Sequence, residues 1–304
     1  MSEYRFDGRV AIVTGAGRGI GRAYAVLLAQ RGASVVVNDL GGSMRGEGAD
    51  AGPASATAAD IAAAGGVAVA DTNDVAAPAG AETLVGAALE QFGRVDIVIN
   101  NAGIMRWGGL PDVDADSLER HLAVHVGGSF NTTRAAWPHM VEQGYGRVVM
   151  TTSTGMFGLP NNLSYATAKA AVLGMMRSLT TAGAAHGIKI NAIAPAAMTR
   201  MSGRRDEEAD PAMAPELVAP MAAFLAHEDC PVSGEIYAAG AGRFARLFIG
   251  STAGYVQPNA QPTIEDVAEH WPAINEETGY YLPVDLMDWS DAFMKHLHEP
   301  EARA

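Results

Sequence analysis

Val10-Ala11-Ile12-Val13-Thr14-Gly15-Ala16-Gly17-Arg18-Gly19-Ile20-Gly21 decides the reading of this chain. A short apolar, β-branched run reads as a strand, and the glycines after it read as a turn. The turn opens onto a segment with helical spacing, Gly19 to Arg31. Bare glycine backbone lets a ligand approach closely, and a helix N-terminus presents free amides to an anion. Strand, glycine turn and helix in this order near the start of a chain can hold the pyrophosphate of a dinucleotide.

Further apolar runs follow at wide spacing: Ser34-Val35-Val36-Val37, Val67-Ala68-Val69, Val95-Asp96-Ile97-Val98-Ile99, Arg147-Val148-Val149-Met150, Ile188-Lys189-Ile190-Asn191 and Glu235-Ile236-Tyr237-Ala238. Their near-continuous hydrophobicity predicts strands covered on both faces. Segments with helical spacing lie between them: Pro53 to Ala64, Ala79 to Phe92 and Ser117 to Gln143. Alternating strands and helices predict an α/β fold with a parallel, doubly wound sheet. The second run ends at Asn38-Asp39, 18 residues beyond Gly21. A carboxylate there can accept hydrogen bonds from an adenosine ribose and would repel a 2′-phosphate, which argues for NAD over NADP. Arg18 argues weakly the other way, because a guanidinium could meet that phosphate.

Composition bounds the partners. The chain has 304 residues, with 34 Asp and Glu against 21 Lys and Arg, a formal charge of −13. Such acidity, with no basic block, argues against nucleic acid. No apolar run approaches membrane-spanning length, and Met1 to Asp7 lacks the apolar core of a secretory signal. The single cysteine, Cys230, cannot form an internal disulfide, and its acidic neighbours make it a poor nucleophile. A cytoplasmic protein acting on a small molecule, with no membrane partner, is expected.

Two stretches break the rhythm. Residues 200–215 are charged and punctuated by proline, and read as a mobile surface loop. After about residue 243 the alternation is lost, so 1–242 is expected to form the main domain. Residues 243–304 are then a C-terminal extension serving as surface, subunit interface or pocket cover. Met198, Met201, Met213 and Met221 read as pliable packing, and could line an adaptable apolar pocket.

Tyr165-Ala166-Thr167-Ala168-Lys169 puts a phenol and an ammonium on one helical face. A nearby cation favours phenolate, so the expectation is a tyrosine pKa lowered toward working pH and suited to proton exchange at a carbinol oxygen. Taken with the glycine turn, Asp74-Val75, Asn100-Asn101-Ala102-Gly103, a Ser/Thr cluster and Asn191-Ala192-Ile193-Ala194-Pro195, the sequence resembles the short-chain dehydrogenase/reductase family over about residues 6–242. Within that family, Val36 to Gly42, Thr133 to Trp137, Glu216 to Pro220 and Gly240 to Gly242 look like the (3R)-hydroxyacyl-CoA dehydrogenase branch.

The resemblance implies a Rossmann-type fold and an NAD(P)-dependent oxidoreductase interconverting a secondary alcohol and a ketone. The expected substrate is a 3-hydroxyacyl-CoA or similarly bulky alcohol. Alternatives are a steroid, terpenoid or small-ketone reductase of the same mechanism, or a non-catalytic nucleotide-binding scaffold. It implies Tyr165 as general base or acid, Lys169 as its partner and a ligand of the nicotinamide ribose, and a hydroxyl that orients the substrate oxygen. Counting back from Tyr165 lands that hydroxyl on Thr152, whereas strand registry from Arg147 to Met150 favours Ser153. His125 stands where the family usually has a catalytic Asn whose backbone bends the helix and holds a water, and the hydroxyacyl-CoA branch also carries His there.

Cofactor contacts carried over are Gly15, Arg18, Gly19, Ile20, Gly21, Asp39, Asp74, Val75, Asn101, Ala102, Gly103 and Thr199, besides Tyr165 and Lys169. His121 and His125 at i, i+4 lack both an intervening Glu and a third ligand, so no metal is expected and helix packing with one polar edge satisfied is. Arg106, Arg204 and Arg205 are candidates to meet CoA phosphates. Family members pair through helices corresponding to Ser117–Gln143 and Ser164–Ala185, which implies a homodimer or homotetramer.

Overall fold

The computed structural model describes residues 3–202, 210–257 and 261–298. Two compact units divide the chain, Met1–Arg246 and Leu247–Ala304. The first is built on an eight-stranded sheet: β1 (Val10–Thr14), β2 (Ser34–Asn38), β3 (Val67–Asp71), β4 (Ile97–Asn100), β5 (Gly146–Thr151), β6 (Ile188–Pro195), β7 (Ile236–Gly240) and β8 (Arg243–Leu247). Their order is β3-β2-β1-β4-β5-β6-β7-β8. Every registered pair from β3 to β7 is parallel. The connecting helices are α1 (Gly19–Gln30), α2 (Gly52–Ala63), α3 (Pro78–Phe92), α4 (Ala115–His121), α5 (Gly128–Gln143), α6 (Leu163–Gly183) and α7 (Ala219–Ala226). This is the doubly wound α/β sheet expected from the alternation of runs.

Central strands β1, β4 and β5 are buried at every position, which is why their residues are mostly apolar without alternation. β3 departs from that expectation. It lies at the edge, and Val67 at its start is 52% exposed. Helix ends follow local rules: α3 opens with Pro78 and stops at Gly93, whose φ of +77° ends the helix in a left-handed turn.

Two features were not expected. The helical stretch from Ser117 is broken by a π-helical turn, Leu122–Gly127, between α4 and α5. Strand β8 carries the chain beyond the expected break at residue 242 through the turn Ala241-Gly242, whose φ values of +51° and +73° match a tight hairpin. Within 200–215 the described residues form short 3₁₀ turns at Arg200–Ser202, Pro211–Met213 and Pro215–Leu217. The second unit holds α8 (Ile264–Glu269), α9 (Trp271–Ile274) and α10 (Leu286–His298). A Thr263–Asp266 capping box starts α8. Among the described residues no helix is long and apolar enough to cross a membrane.

Candidate active site

The strand order reverses between β1 and β4, and there the two strand ends are stitched together. The Thr14 hydroxyl accepts the amides of Asn101 and Ala102, each at 3.0 Å. Asn101 Nδ2 donates back to the carbonyls of Thr14 at 3.0 Å and Gly15 at 3.1 Å. Gly15 has φ +63°, a conformation that strains any side chain. A Cβ on Gly21 would collide with the Gly15 carbonyl, so α1 packs directly on the turn. Gly19 and Ile20 begin α1, and the exposed Arg18 is its N-cap residue. No side chain caps the first amides of this helix, and its first turn holds no acid. The result is an open, positively polarised cradle.

Around it stand the other expected residues. Asp39, only 9% exposed, accepts the Gly17 amide on one carboxylate oxygen at 2.9 Å and the Gly41 amide on the other at 2.7 Å. The carboxylate is therefore held rigidly at the end of β2. Thr199 faces the start of α1: a Cβ on Gly19 would stand 3.3 Å from its methyl group. Asp74 is exposed and accepts the Ala76 amide at 2.9 Å, while Val75 is buried. Gly103 lies against His125, whose ring Cε1 would be 2.5 Å from an added Cβ. Asn131 was not anticipated: its Nδ2 donates to the Val75 carbonyl at 3.0 Å and ties α5 to the loop after β3.

The hydroxyl beside Tyr165 belongs to Ser153. A Cβ on Gly155 would be 3.2 Å from both Ser153 Oγ and Tyr165 Cε1, and the Ser153 hydroxyl favours the phenolate. The hydroxyl of Thr152 is turned into the protein, where it donates to the Lys169 carbonyl at 2.7 Å. Ser153 is also the cap of the turn Thr154–Phe157 and accepts the Gly155 amide at 3.0 Å. Its oxygen is therefore fixed before any ligand arrives.

Lys169 follows Tyr165 by one turn of α6 and is 4% exposed. Its ammonium donates to the Thr151 carbonyl at 2.7 Å and lies 5.7 Å from the Tyr165 ring centroid. Burial lowers its pKa to about 7. The expected lowering of the Tyr165 pKa is corrected here. Burial pushes the phenol up, and the neighbouring Ser153 hydroxyl opposes that rise only in part. The physical reason is the burial of the phenol itself, and the Lys169 ammonium is directed at a backbone carbonyl.

His121 ends α4 and His125 sits within the π-turn. Their rings stack 5.8 Å apart, and each meets the Tyr165 ring edge to face, at 6.3 and 5.4 Å. His121 is satisfied at both nitrogens rather than at one edge: Nδ1 donates to the Ser117 carbonyl at 2.6 Å, and Nε2 accepts the Arg106 amide at 3.2 Å. His125 Nε2 lies 2.9 Å from the Ile104 carbonyl, while its buried Nδ1 has no partner. The Ile104 amide also points at Nε2, at 3.2 Å, so both polar groups of one residue meet the same ring nitrogen. Burial lowers the pKa of both imidazoles, His125 the more strongly. The His125 carbonyl accepts the Ser129 hydroxyl at 2.7 Å.

Other candidates are placed elsewhere. Arg106 is committed to Asp116 at 2.7 Å and to the Arg45 carbonyl at 3.0 Å, and is therefore corrected as a phosphate ligand. Arg204 and Arg205 lie outside the described residues. The Met198 amide donates to the Met213 carbonyl at 2.8 Å, so the two ends of the segment after β6 meet. Cys230 is fully buried in the apolar core. Among the described residues no three His, Cys, Asp or Glu side chains converge as a metal site.

Residues 9–210 match the short chain dehydrogenase family. The chain is 41% identical to mouse peroxisomal multifunctional enzyme type 2 over 308 residues, covering 99% of this chain but only 41% of that protein. The structure of the full-length Drosophila melanogaster enzyme of that name superimposes with a TM-score of 0.80 at 31% identity, over 97% of this chain and 50% of that one. A 7α-hydroxysteroid dehydrogenase complexed with NADH and 7-oxo glycochenodeoxycholic acid superimposes with a TM-score of 0.69 at 30% identity, over 78% of this chain and 95% of that one. The chain thus spans less than half of the mouse relative and half of the fly one. With the cradle, the Ser153–Tyr165–Lys169 group and this match in hand, the chain is an oxidoreductase and belongs to the short-chain dehydrogenase family.

Proposed function

We propose that the chain interconverts a secondary alcohol and its ketone with NAD, Tyr165 exchanging the proton at the substrate oxygen. One observation carries this reading: the phenol, the fixed Ser153 hydroxyl and the buried Lys169 ammonium converge beside the cradle at the carboxyl end of β5. The cradle fits a dinucleotide, because uncapped amides at Gly19 and Ile20 suit a pyrophosphate and the Asp39 carboxylate suits an unphosphorylated ribose. When bound, the nicotinamide ring supplies or accepts the hydride.

The remaining steps belong to the protein. Ser153 hydrogen-bonds the substrate oxygen and stabilises negative charge on it as the carbonyl becomes an alkoxide. Tyr165 gives its proton to that oxygen in reduction and takes it back in oxidation. Lys169, with a pKa near 7, can hold or release a proton at working pH one turn away from the phenol. His125 supports the site as a neutral ring packed on Tyr165 and Gly103. Asp74, Val75, Asn101, Ala102, Gly103 and Thr199 are the proposed remaining cofactor contacts.

The substrate proposed is a 3-hydroxyacyl-CoA or a similarly bulky alcohol, supported by likeness to the mouse enzyme over 99% of this chain. A steroid alcohol is the second reading, favoured by likeness to the 7α-hydroxysteroid dehydrogenase. Self-association as a dimer or tetramer is proposed through α5 and α6, where Phe130 is half exposed. One buried thiol is compatible with the cytoplasm, the compartment proposed here, while the mouse and fly relatives are named as peroxisomal. The test is a panel of 3-hydroxyacyl-CoAs of several lengths and steroid alcohols, followed by nicotinamide absorbance with NAD and with NADP. Turnover with NAD on one class supports the reading, and no turnover on any secondary alcohol contradicts it.

A further inference from the structure

We propose that His121 is a positioning residue for this reaction: as a neutral imidazole it pins the segment Ile104–Arg106 to the imidazole pair, so that the two rings packed edge-on against Tyr165 and the loop after β2 are held in one arrangement. The proposal rests on the function read above, and its main test does not need turnover.

Three sets of contacts carry it. The bond from His121 Nδ1–H to the Ser117 carbonyl fixes the tautomer, leaving a lone pair on Nε2 that receives the Arg106 amide at 3.2 Å. One turn on, His125 Nε2 meets the Ile104 carbonyl at 2.9 Å. Two stacked imidazoles therefore hold two alternate residues of one segment. The same segment is tied on its other side to the loop after β2: the Met105 amide donates to the Met44 carbonyl at 2.8 Å, and the Arg106 guanidinium donates to the Arg45 carbonyl at 3.0 Å. Arg120 of α4 reaches the same loop at the Gly46 carbonyl, 3.0 Å away. That loop follows Asp39, so the ring contacts with Tyr165 and the backbone contacts with the Asp39 side meet at His121 and its neighbour.

Protonation would break this arrangement. An imidazolium has no lone pair, so Nε2–H would oppose the Arg106 N–H, donor against donor. The groups facing His121 are Lys169 and Tyr165 from α6, His125 from the π-turn, and Arg106 from the segment, itself paired with Asp116 of α4 and 3.9 Å from Glu47. Burial, then Arg106 and Lys169, oppose a charge on the ring, which keeps it neutral at working pH.

The test compares wild type, His121→Gln and His121→Phe by hydrogen exchange on the free protein. Gln places an amide oxygen near the Nε2 position and does not titrate, and Phe keeps the shape without an acceptor. At about pH 7.5 the wild type and His121→Gln should protect the amides of 104–106, and His121→Phe should lose roughly tenfold of that protection. On stepwise acidification from about pH 7, with intrinsic exchange corrected, wild type should lose protection before His121→Gln does. With a substrate from the panel, His121→Phe should lower kcat roughly tenfold while KM for the dinucleotide moves less than about threefold, and Gln should restore most of kcat. Unchanged protection and kcat in His121→Phe, or parallel loss in wild type and His121→Gln on acidification, would overturn the proposal. Absence of turnover in wild type would instead sink the functional reading, and exchange alone would then decide the role of His121. If His121→Phe does not fold, the acid response of wild type against His121→Gln decides it.

Discussion

The Lys169 ammonium is spent on the Thr151 carbonyl, 2.7 Å away, rather than on the phenol one turn before it. A buried cation with a single protein partner is costly to the fold, and its pKa near 7 expresses that cost. The role proposed for it beside Tyr165 accounts for its presence: the site keeps a charge that the core disfavours.

Replacing Lys169 with Met should therefore trade function for stability. Turnover should fall at least roughly a hundredfold, the usual scale for loss of an acid–base group. The free protein should melt higher, by roughly 2–4 °C if about 1 kcal/mol of desolvation is relieved. Melting curves and steady-state rates on the same preparation check both halves, and a lower melting temperature would contradict the assignment of cost.

The phenol of Tyr165 holds its proton at neutral pH, because burial raises its pKa above the ordinary value. Oxidation needs that proton removed and reduction needs it present. In the oxidative direction kcat/KM should climb roughly tenfold per pH unit from about pH 7 to about pH 9. The reductive direction should stay flat over the same range. Profiles of equal slope in both directions would show that another group carries the proton.

Asp39 should select the dinucleotide. Asp39→Ser removes the carboxylate that accepts the Gly17 and Gly41 amides. Affinity for NAD should fall and the NADP-to-NAD ratio of kcat/KM should rise at least roughly tenfold, the scale of one charge–phosphate conflict. Titration calorimetry with both dinucleotides reads this directly, and an unchanged ratio would remove Asp39 as the selector.

At the opposite end of the sheet, Asp96 is completely buried and accepts from Arg9 at 3.1 Å, from Arg94 at 2.6 and 2.7 Å, and from the Val10 amide at 2.9 Å. Asp96→Asn should cost about 2–3 kcal/mol of stability, since the partly exposed arginines can rehydrate while the Val10 amide loses a charged acceptor. Turnover at low temperature should be close to wild type. Denaturant unfolding and a rate measured well below the melting temperature separate the two effects.

What could be read from the sequence was whatever local rules determine. The strand and turn from Val10 to Gly21 are dictated by neighbours in the chain, and so is the spacing of Tyr165 and Lys169. The π-turn at Leu122–Gly127 escaped because one extra residue per turn leaves no mark on an apolar pattern. β8 escaped because its hairpin turn is Ala241-Gly242 rather than a pair that favours positive φ at both positions. The burial of Tyr165 that raises its phenol pKa, and the direction of the Lys169 ammonium, depend on how α6 packs against the end of β5, a tertiary fact. Arg147 is similar: it is 5% exposed in a largely apolar strand, and its guanidinium is satisfied by the carbonyls of Gly146, Gly187, His227 and Glu228, three of them distant in sequence.

The most direct test of the central claim is the single-turnover rate of Tyr165→Phe, with dinucleotide binding measured in parallel on the same protein. The phenyl ring keeps the packing against His121 and His125 and removes only the hydroxyl beside Ser153. The account predicts NAD binding within about threefold of wild type and a hydride-transfer rate lower by at least roughly a hundredfold. A variant that binds NAD and transfers hydride at the wild-type rate would contradict it.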